Sequence, residues 1–210
     1  MNINFVPQSA TIETPAEWIA MYPKLLEQYG RTCYKSEHNI TEDSAEPFIR
    51  RLIKSGHESV LEHCSITARI VCDRATSHQV VRHRLCSFSQ ESQRYCGYKD
   101  RFTFIPPETF LEYDSADSIA TADALGQCCE SYIRLRENGV KKEVARAVLP
   151  NCMATELVMT ANLRQWRHVF AMRCDKHAQK PIRAIMKGLL RKMSIDLPCV
   201  FDDLTEKYHG

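Results

Sequence analysis

The stretch CSITARIVC, residues 64–72, decides the fold class. Ile66, Ala68, Ile70 and Cys72 fall on one side of an extended chain, and Ser65, Thr67 and Arg69 fall on the other. A period of two means a strand with one face on a core and one polar face. Asp73 follows as a helix cap and predicts a helix over 74–84. A second strand is expected around 101–105, closed by Pro106-Pro107. Upstream, Thr14-Pro15-Ala16-Glu17 reads as a capping box with proline at the first helical position. The helix it opens should end or bend at Pro23, and Gly30 should stop any continuation. Asp43 with Glu46 opens another helix, with Phe48, Ile49, Leu52 and Ile53 on one face and Gly56 as its stop.

Downstream, 115–138 reads as a long amphipathic helix carrying Ile119, Ala122, Leu125, Cys129, Tyr132 and Leu135, ended by Gly139. A short helix over 140–149 is closed by Pro150, and 153–160 reads as a strand. Asn162 caps the next helix, and Ile182, Ile185, Met186, Leu189, Leu190 and Met193 form one stripe on the last. The sum is an α+β fold, a small, mainly antiparallel sheet packed with helices. There is no βαβα alternation and no GxGxxG or GxxxxGK[ST] loop, which opposes a Rossmann or P-loop nucleotide site.

The chain has 210 residues, with 28 Lys+Arg against 26 Asp+Glu. That length predicts a single domain over 1–210. A formal charge of +2 opposes a protein that coats nucleic acid by bulk electrostatics. No apolar run approaches the roughly 18 residues of a membrane span. MNINFVPQSA has no basic segment leading into an apolar core, so the expectation is a cytoplasmic protein without a signal peptide. The ten cysteines include no CxxC and fall mostly in apolar stretches. They read as reduced thiols used as small core residues, with no metal site.

The most unusual segment runs from Arg82-His83-Arg84 through Ser87, Ser89, Gln90, Glu91, Ser92 and Gln93 to Arg94-Tyr95. Cations at a helix end favour its dipole, and polar residues fill surface loops. Four basic side chains over 82–94 with little acid between them also suit a phosphate or another anion. Arginine forks fit a pyrophosphate and the carbonyl edge of a pyrimidine. A second constellation is Gly56-His57-Glu58 with Glu62-His63. The histidines are six apart, about 240° round a helix, so they do not form a zinc pair. A third is Asn162 and Arg164, then His168, Arg173, Asp175 and His177; Arg164, His168 and Arg173 are expected to line one helical side. Arg146 stands alone in Val144-Ala145-Arg146-Ala147-Val148 and needs an anion if buried, whether ligand or structural partner. No catalytic triad or reactive Cys-His pair stands out, which suggests that a bound cofactor does the difficult step.

Arg82-His83-Arg84, seven residues and then Ser92 resemble the RHR-x7-S signature of flavin-dependent thymidylate synthases. So do the Gly56-His57-Glu58 stretch, Glu143-Val144-Ala145-Arg146 with Leu149-Pro150, Asn162-x-Arg164, and Arg173-x3-His177-Ala178-Gln179, in that order along the chain. The resemblance implies reductive methylation of dUMP to dTMP. Methylenetetrahydrofolate would supply the carbon, and FAD reduced by NADPH would carry the hydride. It also implies a homotetramer with sites at subunit interfaces and no covalent enzyme nucleophile. Carried over position by position, Ser59, Arg82, His83, Arg84, Gln90, Asn162, Arg164, His168 and His177 would hold the flavin. Gln79, Arg82, Gln90, Glu91, Ser92, Gln93, Arg94 and Arg146 would hold dUMP. His57 would lie on the folate and flavin path, and Arg173 would polarise or ionise the uracil ring. Ser89, Gln90 and His168 depart from the residues of some members. The competing reading is a single-stranded nucleic-acid module stacking bases on Tyr95, Tyr98 and Phe102.

Overall fold

β3 (Ser65–Asp73) forms as its alternation predicts, with Ile66, Ala68, Ile70 and Cys72 fully buried. The weaker strand expectation also holds, as β6 (Ala154–Asn162). Thr67 and Thr160 share a hydroxyl hydrogen bond of 2.8 Å, while the Arg74 N–H donates to the Met153 carbonyl, so β3 and β6 run antiparallel. The computed structural model describes residues 1–99, 101–111 and 115–209. Among these, β2 (Ser9–Ile12), β3, β6 and β4 (Ser87–Gln90) form one sheet in the order β2-β3-β6-β4. A second, two-stranded sheet pairs β1 (Asn2–Phe5) in parallel with β5 (Arg101–Phe104), a parallel element that the sequence did not signal.

The chain divides into two compact units, each assembled from three separate segments. The first takes 1–9, 71–80 and 89–157, and the second takes 10–70, 81–88 and 158–209. The first holds α3 (Arg74–Val80), α4 (Ala116–Glu137) and the one-turn α5 (Lys142–Ala145), which continues as a 3-10 turn at Arg146–Val148. Its core packs Phe102 and Phe104 of β5 against Leu125, Cys129 and Tyr132 of α4. Each large apolar side chain buried in this way contributes about 1.5–3 kcal/mol. Ser115 rather than a residue inside the helix caps α4, and Ile119, placed on its buried stripe by periodicity, is 55% exposed.

The second unit holds α1 (Ala16–Thr32), α2 (Ala45–Lys54), a 3-10 turn at Glu58–His63, α6 (Leu163–Arg173), α7 (Lys180–Asp196) and α8 (Pro198–His209). Trp166 of α6 donates its indole N–H to the Ile66 carbonyl and stacks on Phe170, which meets Phe201 of α8 edge-on. α8 comes after the helix that the sequence presents as the last. Its proline is the first helical residue, where the missing N–H is harmless, so Pro198 starts a helix rather than ending the fold.

Three boundaries differ from expectation. Thr14 is not a cap, because its hydroxyl accepts the Thr67 N–H at 2.8 Å, and Pro15 stands at the cap position instead. α1 continues through Pro23 and Gly30 to Thr32. α2 opens at Ser44 rather than Asp43, and the Ser44 hydroxyl donates to Glu27 of α1 at 2.8 Å. Gly56 does stop α2. It sits at φ +72°, its N–H reaches the Ile53 carbonyl, and the His57 N–H reaches that of Leu52, a Schellman closure.

Gly30 is needed for space. A Cβ there would lie 2.8 Å from Cε1 of Phe48, a ring already covered by the Arg31 guanidinium at 4.7 Å. Gly30→Ala gains about 1 kcal/mol of helix propensity but overpacks the contact at a cost of about 1–3 kcal/mol. The variant should therefore unfold at a lower denaturant midpoint with an unchanged slope. A midpoint at or above wild type would mean that the Phe48 ring yields freely.

Candidate active site

α3 ends at Val80, short of the expected 84, so Arg82-His83-Arg84 lie in a turn beyond a helix rather than at its end. The turn points alternate residues apart. Arg82 and Arg84 are exposed, and their side chains make no hydrogen bond or ion pair among the described residues. His83 is only 5% exposed. Its Nε2 accepts the Arg173 Nε–H at 3.0 Å, and its ring meets His168 edge-on at 6.4 Å. Burial, then the charges of Arg173 and His168, lower the His83 pKa to about 4. His83 is therefore neutral near pH 7. A guanidinium can only donate, so Nε2 is bare and the ring proton sits on Nδ1.

α6 presents the third constellation. Asn162 caps it as expected, its side-chain oxygen accepting the Gln165 N–H at 2.8 Å. Arg164 and His168, one turn apart, are both exposed. Arg173 is not on their side, because nine residues carry it about 180° round from Arg164. His83, arriving on a different loop, brings His168 and Arg173 together. The Glu58 and Glu62 carboxylates of the second constellation both reach this helix. Glu62 accepts from Arg164 at 2.6 Å and Glu58 from Arg167 at 3.2 Å. His57 and Ser59 stay exposed beside them in sequence. Beyond α6, Asp175 accepts both the backbone N–H of His177 and its Nδ1, at 2.9 and 2.7 Å. These bonds hold the Asp175 carboxyl below its usual range.

Arg167 was missed by sequence reading, although an arginine between Trp166 and Val169 on a buried face is itself a signal. It also grips Asp203 through two hydrogen bonds of 2.7 Å and donates to the Val200 carbonyl. Burial alone would lower its pKa, but the bonds and charges of Asp203 and Glu58 outweigh that and raise it.

The first unit holds a separate polar cluster. Asp73 caps α3 through the Thr76 N–H at 2.6 Å. Arg74 follows and donates to the Thr155 hydroxyl and the Glu91 carbonyl. Gln90 donates to Ser77 and Thr155 at 2.9 and 3.2 Å. Tyr98 donates to the Glu91 carboxylate, and burial together with that carboxylate pushes its phenol up to about 12. Gln79, Ser92 and Gln93 are half-buried in the same unit, and Arg94 is exposed over the Tyr95 ring at 5.4 Å. Ser87–Gln90, read as a loop, is the strand β4, and it fixes Gln90. Arg146 is half-buried, and its one described bond goes to the Glu143 carbonyl, so no carboxylate neutralises it among the described residues. Arg74 was also missed. Its signal is a cation in the first turn of a helix, where the dipole opposes it.

The stacking platform of the nucleic-acid reading does not exist. Phe102 is fully buried, and Tyr98 packs between Phe102 and Tyr132 at 5.7 and 5.8 Å. Of the three rings, Tyr95 alone is exposed. The ten cysteines are free thiols. A cleft of about 430 Å³ between α2, α6 and α8 is lined by Arg50, Lys54, Arg167, Cys199 and Asp203 and includes none of the expected site residues.

The fold is that of a UMP/dUMP methylase, PolB from Streptomyces cacaoi, solved with 5-Br dUMP. The TM-score is 0.77 over 99% of this chain and 98% of that one, at 20% sequence identity. Residues 19–199 match the family described as thymidylate synthase complementing protein. The flavin-dependent thymidylate synthase of Geobacter sulfurreducens is 36% identical over 182 residues, which is 83% of this chain and 78% of that protein. That of Mycobacterium tuberculosis is 36% identical over 197 residues, 86% and 79% of the two chains. The chain belongs to the flavin-dependent thymidylate synthases, a family of enzymes.

The neutral His83 sets a sign for stability against pH. Its folded pKa of about 4 lies below the ordinary 6.5, so between these values the unfolded chain binds a proton that the folded one refuses. Stability should fall as pH drops from about 6.5 towards about 4. Denaturant titrations of wild type and His83→Gln should converge over this window, since the variant lacks the group. Parallel curves would mean that His83 titrates normally.

Proposed function

We propose that the protein reductively methylates dUMP to dTMP, with methylenetetrahydrofolate as carbon donor and FAD reduced by NADPH. It would act as a single functional domain over 1–210, in a cytoplasmic homotetramer with sites at subunit interfaces. The observation that carries this reading is the pairing of the Arg173 guanidinium with a buried, neutral His83. A guanidinium in this position can stabilise negative charge developing on a pyrimidine ring.

The donor set fits a flavin dinucleotide. Arg82 and Arg84, unpaired among the described residues, are cations suited to a pyrophosphate, with Arg164, His168, Asn162, His177 and Ser59 in the same unit. Arg164 would exchange its bond to the exposed Glu62 for the ligand at small cost. Bound flavin would supply the hydride that these side chains cannot. In the first unit, Gln90, Arg74 and Arg146, with Gln79, Gln93, Arg94, the Ser92 hydroxyl and Glu91, provide amides, cations and acceptors suited to dUMP. His57, exposed and unpaired among the described residues, suits the folate path. Leu85, inside the arginine turn, is 81% exposed, which suits cover by another subunit. Among the described residues no helix is long and apolar enough to cross a membrane.

The test is a visible spectrum after loading with FAD and removing unbound ligand, then anaerobic NADPH with dUMP. A flavin band that bleaches, and dTMP formed when methylenetetrahydrofolate is added, are expected. Failure to retain flavin would overturn the reading. Arg173→Ala should keep fold and flavin while turnover falls roughly 100-fold or more, the scale of losing one transition-state donor. Wild-type turnover would remove its role.

A further inference from the structure

We propose that Lys142 is a positioning residue for nucleotide binding, clamping the turn over 92–96 onto the segment that carries Arg146. The inference rests on the reading that Ser92, Gln93, Arg94 and Arg146 hold dUMP, and every residue in it lies in the first unit. The turn is closed by its own bonds. The Tyr95 and Cys96 N–H groups donate to the Ser92 carbonyl at 3.0 and 2.8 Å, and the Ser92 hydroxyl accepts the Arg94 N–H at 3.3 Å. Such bonds shape a turn without fixing where it sits. At its near end, the Glu91 N–H donates to the Glu156 carbonyl of β6 at 2.9 Å. At its far end, the Lys142 ammonium donates to the Tyr95 carbonyl at 2.9 Å. Lys142 is the first residue of α5, and Arg146 stands four residues on, one helical turn along the same side. One lysine therefore ties together the two segments that would grip the nucleotide.

Gly97, the residue after the turn, makes room for that lysine. A Cβ there would lie 2.7 Å from Lys142 Cε and 3.3 Å from Nζ. The backbone at Gly97 is not left-handed, so an alanine would meet the lysine rather than backbone strain. The displaced atoms are the far end of a flexible side chain, so the fold would give little while the ammonium would move. Tyr95 in turn carries the Arg94 guanidinium over its ring at 5.4 Å, so holding the Tyr95 backbone also limits where Arg94 can go. A site ordered before its ligand arrives loses less affinity to the ordering of its side chains. An ammonium on a long stem suits the task, because it can hold a carbonyl at a distance and still contribute positive charge to an anion site that it does not touch.

The test titrates the full-length, FAD-loaded enzyme with dUMP. Lys142→Met keeps the stem and removes the ammonium. Its Kd for dUMP should rise roughly 10-fold, the scale of ordering one or two side chains on binding. Flavin should be retained, and kcat at saturating dUMP should stay within about 3-fold of wild type, since the loss is one of binding. Lys142→Arg, which still reaches the carbonyl, should recover most of the affinity. Gly97→Ala keeps the charge but displaces it, and should weaken dUMP as Lys142→Met does. Combining the two should cost nothing further, because both act through one contact. Wild-type affinity in Lys142→Met or Gly97→Ala, additive losses, or an arginine no better than methionine would overturn the proposal. If Lys142→Met does not fold or hold flavin, Gly97→Ala decides alone, weaker dUMP binding supporting the clamp and wild-type binding overturning it. Ser92→Ala and Arg146→Ala separate this failure from that of the underlying reading. If neither weakens dUMP, the turn is not the nucleotide site and the clamp falls with it. If they do and Lys142→Met does not, the clamp alone falls.

Discussion

Arg167 carries a full charge into the second unit with 9% of its side chain exposed, and the site elements of that unit are arranged around it. A charge so placed is tolerable only if it is paired and hydrogen-bonded. Glu58, Asp203 and the Val200 carbonyl answer four of its five N–H groups. These partners come from the 3-10 turn and from α8, so one guanidinium fixes the roll of α6 against both neighbours. Removing it would leave two carboxylates without their cation, a loss of about 3–5 kcal/mol if they were fully buried and less here because Asp203 is half exposed. With Arg167, Trp166, Val169 and Phe170 turned inward, helical geometry leaves Arg164 and His168 outward. The outward face is thus a consequence of the buried one.

The arginine turn obeys the opposite electrostatic logic. Arg82 and Arg84 have no acidic partner among the described residues, which preserves an attractive field for an anion. A protonated His83 between them would add a third charge 3.0 Å from the Arg173 Nε. At an effective dielectric near 20 that repulsion is on the order of a few kcal/mol. Burial removes the difficulty by keeping the imidazole neutral. One residue of the triplet is therefore turned into the protein as an acceptor, while its neighbours remain outside as cations.

How much of this was legible in the sequence depends on how local the cause is. β3, α4 and the cap of α6 could be read because a period and a polar cap lie within a few residues of one another. β1, β2 and β4 could not, since four residues hold too little period and no Pro-Pro stop marks them as Pro106-Pro107 marks β5. Thr14 looks like a cap locally, yet a strand claims its hydroxyl; Asp43 looks like the opener of α2, yet Ser44 stands at the cap position, its hydroxyl held by Glu27 of another helix. Pro23 and Gly30 look like breakers, but packing of α1 on α2 overrides propensity. The arginine triplet was visible as composition and as a family resemblance. Its alternation in and out, and the bond across 90 residues to Arg173, belong to tertiary structure alone.

The thiols bear on which groups can activate a pyrimidine. Cys64, Cys129 and Cys152 are pushed up to about 11, and Cys72, Cys174 and Cys199 to about 12, in each case chiefly by burial. At pH 7 a thiol four or five units below its pKa is thiolate in roughly one molecule in 10⁴ to 10⁵, too little for a nucleophile at ordinary turnover. Cys86, the cysteine next to the arginine turn, is raised as well, mainly by burial. A covalent attack by these cysteines therefore has no support in their surroundings. In the proposed reaction, activation of the ring would fall to charge rather than to a bond with one of these thiols. In that reaction the charge would be the Arg173 guanidinium, which donates its Nε–H to the neutral His83 at 3.0 Å.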